Sequence, residues 1–324
     1  MATIVAYKDI GIANEPSLGA SVAVADYIHV KTYAVDDVPN KERVDDTSNT
    51  TKGHDRIEAR RVDLTGSLTG YGSPRVLHHA FELVNMVGAT AIATVGTSAS
   101  EYEYQQTTGG SSQLSKSTYA DYNNSTAIHR GMRASQIELS ASNDLIDVSL
   151  DLLGVNKDPG ITLAGSGEAT KPWKFSNVNI YIGATLGDIE TGGTAFHITE
   201  WTITYANNLE GTHQSGQNTI KRSDIKIPTF DMNLTLYNET EFFQGAKNGC
   251  STYAMRLVGE LDPCQGTIVG STPYKLTIDV PFFEVVTSPR TYEAGEFISE
   301  KVAMYAKYSA ADDALWIPRL IREN

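Results

Sequence analysis

The sequence predicts a mainly β protein made of two tandem modules, each with one short α-helix. Three observations carry this prediction. Period-two alternation of apolar and polar residues dominates the chain, helical spacing with caps occurs only twice, and the elements recur in the same order in both halves. At 324 residues the chain is long for one domain, since a domain takes roughly 100–200 residues. The expected division is a first module at 1–155, a linker at 156–172 and a second module at 173–324.

The elements follow in chain order. A strand is expected from Tyr27 to Val35, then a polar loop from Asn40 to Asp55. The clearest alternation comes next, with Val62, Leu64, Gly66 and Leu68 on one face and Asp63, Thr65, Ser67 and Thr69 on the other. Ser73 can cap a helix that has Pro74 at its first position, Val76, Leu77, Ala80, Phe81 and Val84 as its apolar stripe, and Gly88 as a left-handed stop. The low-complexity stretch Thr107 to Thr126 is too polar to build a core; it reads as a solvated loop, or as an arm ordered by a neighbouring subunit. Strands are expected at Gln136–Ser140 and Leu145–Leu152, followed by the Gly- and Pro-rich linker.

The second half repeats this order. Strands at Val178–Ile182 and His197–Asn207 precede a polar loop from Glu210 to Asp224. The alternating strand then sets Phe230, Met232, Leu234 and Leu236 against Asp231, Asn233, Thr235 and Tyr237. A helix is expected from near Asn238, with Glu239 and Glu241 at its positive end, Phe242 and Phe243 inward, and Gly249 ending it. Strands at Lys275–Val280 and Phe297–Tyr308 complete the chain. Placing Val62 on Phe230 aligns Asp63 with Asp231, Ser67 with Thr235 and Leu68 with Leu236, which suggests an internal duplication.

Composition narrows the function. A net charge of -13 and a pI near 5.0 repel phosphate, which disfavours a sequence-reading nucleic-acid binder. Two cysteines, Cys250 and Cys264, cannot staple a chain of this length or by themselves close a zinc site; free thiols are expected. The start of the sequence lacks the basic-then-apolar pattern of a signal peptide, and the most apolar stretch, Val84 to Val95, is short and interrupted, so no membrane insertion is expected. The chain is expected to be made and kept in cytoplasm, or inside something assembled there.

Catalytic signals are poor. No H-E-x-x-H, G-x-S-x-G, P-loop or EF-hand pattern is present. His78 and His79 are neighbours on the first helix, diverge by about 100 degrees, and read as surface or boundary residues. Gly165, Ser166 and Gly167 begin like a dinucleotide fingerprint, but Thr170 stands at the third glycine, so linker is the better reading. Asp36-Asp37 and Asp45-Asp46 read as solvated turns. The glycosylation patterns at Asn49, Asn123, Asn124, Asn233 and Asn238 carry no weight without secretion. No catalytic residue, cofactor or metal is expected.

What the sequence does supply is strands whose outward faces are rich in Thr, Ser, Asn and Asp. On a monomer such a face is an ordinary solvated sheet. In a ring it could line a water-filled channel through which a polyanion slides without being gripped. Asp63, Asp147, Asp151 and Asp231 lie on such faces.

The segments PWKFSNVNIYIG (172–183), WTITYANNLEG (201–211), Phe230 to Tyr237 with its helix, and PYKLTIDVPFFEV (273–285) before a final strand and an Ala-Asp-Asp region resemble a tailed-phage, siphovirus-like major tail tube protein in a two-module form. HRGMRASQIELSASNDLIDVSLDLLG (129–154) is similar to the paired-strand stretch of the same family, so the resemblance covers most of the chain. It implies tandem tail-tube-like β-sandwich or barrel modules that form stacked rings, a virion tail location after assembly in the host cytoplasm, and a channel for DNA ejection. The implied partners are copies of itself, a tape measure protein, tail terminator and tail tip proteins, and transiently passing DNA. Candidate lumen-facing residues are Asp63, Thr65, Ser67, Asp147, Asp151, Asp231, Asn233 and Thr235. The loops that would reach the adjacent ring hold Glu42, Arg43, Asp45, Asp46, His213, Gln217, Lys221 and Arg222. If the duplication is real, three chains make a pseudo-sixfold ring; otherwise six chains close it.

Two other classes compete with this reading. A carbohydrate- or receptor-binding β-sandwich of a virion could stack sugars on Trp173, Trp201 and Trp316, although Trp201 falls on the apolar side of its strand. A β-sandwich hydrolase ranks last, because no nucleophile-base pair or metal set emerges.

Overall fold

The computed structural model describes residues 8–44, 56–95, 98–105, 113–122, 126–142, 144–160, 162–163, 165, 171–213, 220–224, 226–237, 241–249, 251–261, 267–268, 272–291 and 298–323. The first half runs β1 (Lys8–Asn14), β2 (Asp26–Val30), β3 (Thr32–Val44), β4 (Arg56–Tyr71), α1 (Pro74–Asn85), β5 (Thr90–Thr94), β6 (Ala99–Glu103), β7 (Lys116–Asp121), β8 (Thr126–Ser142), β9 (Asp147–Gly154) and β10 (Asn156–Pro159). The second runs β11 (Val178–Gly183), α2 (Leu186–Gly192), β12 (Thr194–Ala195), β13 (Ile198–Ala206), β14 (Glu210–His213), β15 (Ile220–Asp224), β16 (Thr229–Tyr237), α3 (Phe242–Gly249), β17 (Tyr253–Glu260), β18 (Thr267–Ile268), β19 (Thr272–Pro273), β20 (Lys275–Thr287), β21 (Arg290–Thr291), β22 (Ser299–Ala306) and β23 (Ile317–Glu323). The protein is mainly β, as the alternation predicts.

One antiparallel sheet organises the molecule, in the order β3, β4, β9, β8, β13, β16, β22, then β20 and β21. It is not closed. The same sequence of pairings occurs twice: β3–β4–β9–β8 in the first half and β13–β16–β22–β20 in the second, with α1 following β4 and α3 following β16. The halves join where Gln136 to Ser142 of β8 pair with Ala206 to Glu200 of β13.

A second layer covers the apolar face of this sheet. Strands β1, β2, β7 and β10 assemble around the start of β8; β11, β17, β23, β6 and β5 assemble around the start of β20. Both β8 and β20 therefore serve two layers, and each turns its corner at a residue suited to it. In β8 the corner is Gly131, at φ +67, where an added Cβ would come within 2.5 Å of the Val155 side chain. In β20 it is Pro281, in the register shift between the pairings Met255↔Val280 and Tyr253↔Phe283, where a missing N–H is tolerated.

The core runs through both halves. Trp316 stacks on Tyr205 with ring centroids 4.7 Å apart, meets Phe81 of α1 edge-on at 5.6 Å, and donates from its indole N–H to Asn85 at 3.3 Å. Asn207, fully buried, donates to the carbonyls of Val84 at 2.6 Å and Ala134 at 2.8 Å, tying the end of β13 to α1 and β8.

Several elements differ from expectation. Helix α1 ends at Met86, which adopts the left-handed conformation, and not at Gly88. Helix α3 begins at Phe242, and α2 is a third short helix, capped by Thr185, whose hydroxyl accepts from the Asp188 N–H. Where the two expected polar loops are described they are strand: Asn40 to Val44 continues β3 against β4, and β14 pairs with β15. The expected linker opens with strand β10 on β8.

The largest departure is β7, in a stretch read as too polar for a core. Its residues Lys116 to Ala120 are buried, because each polar group has a designated partner. Glu15 accepts from the hydroxyls of Ser115 at 2.6 Å and Ser117 at 2.7 Å, and Thr118 pairs with the Tyr33 hydroxyl at 2.6 Å.

Candidate functional site

The alternation of each strand sends apolar residues into the sandwich and leaves a polar face on the other side of the long sheet. Cross-strand neighbours share a face, so the register aligns these residues in rows. One row reads Thr32, Thr69, Ser149, Glu138, Thr204, Asp231, Tyr305 and Glu284. A second begins Ala34, Ser67, Asp151, Gln136 and Ala206, and a third contains Tyr71, Asp147, Ser140, Thr202, Asn233 and Ala303. All eight expected lumen-facing residues, Asp63, Thr65, Ser67, Asp147, Asp151, Asp231, Asn233 and Thr235, fall on this one face although they come from three strands.

Among the described side chains the face is acidic: Asp36, Asp63, Glu138, Asp147, Asp151, Glu200, Asp231 and Glu284 point out from its strands, against Lys301. Three lysines reach in from flanking segments: Lys31 pairs with Asp147, Lys307 with Glu284, and Lys157 with Asp36 at 2.6 Å. The hydrogen bond from Lys157 and then that from the Asp37 N–H hold the Asp36 carboxyl below its usual range. Glu138, Glu200, Glu284 and Lys301 were not singled out from sequence; alternation within their own strands was the available signal.

The two hairpins leave the same end of the sheet, since β3 and β13 run in one direction. Glu42 and Arg43 lie in β3, His213 in β14, and Lys221 and Arg222 in β15. Asp45, Asp46 and Gln217 lie outside the described residues, as do Cys250, Cys264, Asn49, Asn123, Asn124 and Asn238. At the base of the second hairpin Ile227 is 84% exposed beside an open groove lined by Gln136, Leu209 and Lys226.

Other candidate sites close on inspection. Trp173, Trp201 and Trp316 are all buried, so none is placed to stack a sugar. His78 and His79 are buried as well, contrary to expectation, because α1 is enclosed on nearly every side and both directions lead inward. With Glu82 they bring ligand atoms within 4.8 Å of one another. An ammonium already occupies that space: Lys116 Nζ donates to Glu82 at 2.5 Å and lies 3.1 Å from His79 Nδ1. Burial pushes His78 down to about 2, keeping it neutral, so Lys116 supplies the charge that balances Glu82. Among the described residues no helix is long and apolar enough to cross a membrane.

An open antiparallel sheet, packed on one side against a second layer and presenting a polar face on the other, defines a β-sandwich fold whose strands β3 and β21 carry no further pairing among the described residues. The family described as Phage tail tube protein matches residues 41–262, more than half of the chain, and the chain belongs to that family. No individually curated protein matches it. It is a structural protein of the phage virion tail, and it assembles with copies of itself into a tube.

Proposed function

We propose that the chain is the major tail tube subunit, that residues 1–155 and 173–324 act as pseudo-equivalent modules, and that three chains close a pseudo-sixfold ring. The observation that carries this is the β8–β13 seam. It joins the fourth strand of one half to the first strand of the next, and the matching edges are left over at the ends of the sheet. On its outer side β3 carries no strand pairing among the described residues, nor does β21. Repeating the internal seam between chains pairs β21 with β3 of the next copy and satisfies edges that otherwise invite uncontrolled pairing.

In this reading the acidic face lines the lumen, where carboxylates repel DNA phosphates and let the genome pass toward the host. The hairpins of β3–β4 and β14–β15 reach the adjacent ring, and stacked rings form the tube. Tape measure, terminator and tail tip proteins are its partners, the virion tail its location, and the host cytoplasm its place of assembly.

The test is disulfide trapping in a background of Cys250→Ser and Cys264→Ser. The internal seam, transposed by the strand equivalences, brings Val38 opposite Thr291 of the neighbouring chain. Val38→Cys with Thr291→Cys should yield, on oxidation, a ladder ending in a closed trimer. A ladder ending at six chains would refute the duplication, and no cross-linked product from assembled tubes would refute the seam.

A further inference from the structure

Asn14 and Lys116 are direct cross-strand partners in the antiparallel pairing of β1 with β7. The Lys116 side chain is fully buried, and its Nζ donates to Asn14 Oδ1 and to Glu82 Oε2, with His79 Nδ1 as a third neighbour at 3.1 Å. Phe81 and Tyr104 pack on each other with ring centroids 5.5 Å apart, and the Tyr104 hydroxyl is bonded at 2.8 Å to Nδ1 of His78, the neighbour of His79 on α1. A buried amine, a carboxamide in contact with it and a carboxylate on the same nitrogen are the components needed to make an amide bond between side chains. Asn14 itself lies on the exposed margin, so its amide nitrogen has a path to water.

We propose that Lys116 and Asn14 join in an isopeptide bond, with Glu82 as the general base. Glu82 takes one proton from the ammonium, and the freed lone pair on Nζ attacks Asn14 Cγ. The new C–N bond forms as the carbonyl electrons move onto Oδ1. The tetrahedral centre then collapses and expels Nδ2, which leaves as ammonium with the two protons that Nζ has shed. One ammonium is released per bond, and no oxidant or reductant is needed. Burial lowers the Lys116 pKa, opposed by the Glu82 charge, which favours the free amine. Burial alone would raise the Glu82 carboxyl, but its hydrogen bond to His79 and the charge of Lys116 outweigh this and hold it well below the usual range, so it is ionised and already accepts a hydrogen bond from the ammonium whose proton it takes. The bond spans 102 residues of sequence and would clamp the first described strand of the sandwich covalently to β7.

The experiment is intact-mass spectrometry of the full chain under denaturing conditions, with a tryptic map. The expected result is a mass lower than the sequence mass by one ammonia, and a joined peptide carrying Asn14 and an uncleaved Lys116. Asn14→Ala should run at its own sequence mass, and Glu82→Gln should form the bond roughly a hundredfold or more slowly. A cooperatively folded parent chain that keeps its full sequence mass after prolonged incubation overturns the proposal. So does an ammonia loss that maps to any other peptide, including a cyclised Asn14 without Lys116. Should Glu82→Gln fail to fold, the parent map and Asn14→Ala still decide.

Discussion

Asp279 offers a quantitative test of how the outer layer is held. It is fully buried on β20, and its two oxygens accept from Arg256 Nε at 2.6 Å, Arg256 Nη2 at 2.9 Å and Arg319 Nη1 at 2.8 Å. The two arginines come from β17 and β23, so this one carboxylate ties three strands together. Asp279→Ala leaves two guanidiniums facing each other, with Glu190 at 3.2 Å and Glu103 at 2.8 Å, among the described residues, to offset them. Removing one partner from a buried pair costs about 3–5 kcal/mol, and because the arginines are about one-fifth exposed the lower end applies, about 3 kcal/mol. For a chain of 324 residues that corresponds to a melting temperature lower by roughly 4–5 °C. Urea unfolding of dilute, unassembled subunits, followed by the fluorescence of the three buried tryptophans, measures it directly. Asp147→Ala, which removes only an exposed pairing with Lys31, should cost less than about 1 kcal/mol. If Asp279→Ala falls within that same range, the clamp reasoning is wrong.

Asp63→Lys together with Asp231→Lys should leave the subunit's unfolding midpoint unchanged and slow or block DNA passage; normal ejection from tails shown to carry the variant would remove the lumen assignment. Trp316→Ala should cost about 3–5 kcal/mol, read by denaturation, because the ring packs against Phe81, Tyr205 and Phe230 of both halves. Acid should weaken the fold through His129, which burial, aided by Lys157 and opposed by Asp36, pushes down to about 4 while Tyr33 bonds its Nδ1 at 2.9 Å. The unfolded chain takes up that proton near 6.5, so stability is full above pH 6.5 and falls as pH drops toward 4, by up to about 3 kcal/mol from this group; His129→Gln should flatten unfolding free energy across that window.

The alternating strands were legible because a half-buried sheet writes its two faces directly into the residue order. Val62 to Thr69 and Phe230 to Tyr237 therefore lie where the pattern puts them, and the Ser73-Pro74 start of α1 follows from local capping. Strand β7 was not legible, since its burial depends on partners such as Glu15, Tyr33 and Glu82 that lie 34 to 102 residues away. The inward setting of His78 and His79 escaped for the same reason: a helix enclosed by two layers has no solvent side to read from its own sequence. Strands β14 and β15 and the end of β3 were missed because pairing within a two-stranded ribbon needs no apolar alternation. The sheet's acidic face could be assembled only in part: alternation turns Glu138, Glu200 and Glu284 outward within their own strands, but which strands lie side by side is set by register, which a single strand does not encode.

The corners at Gly131 and Pro281 also bear on mechanics. Because β8 and β20 each run unbroken from one layer into the other, the two layers cannot slide past each other without stretching covalent backbone. A load applied to the polar face passes straight into the outer layer, and the subunit responds as a stiff stave. In the proposed tube, bending would then be taken up at the contacts between copies.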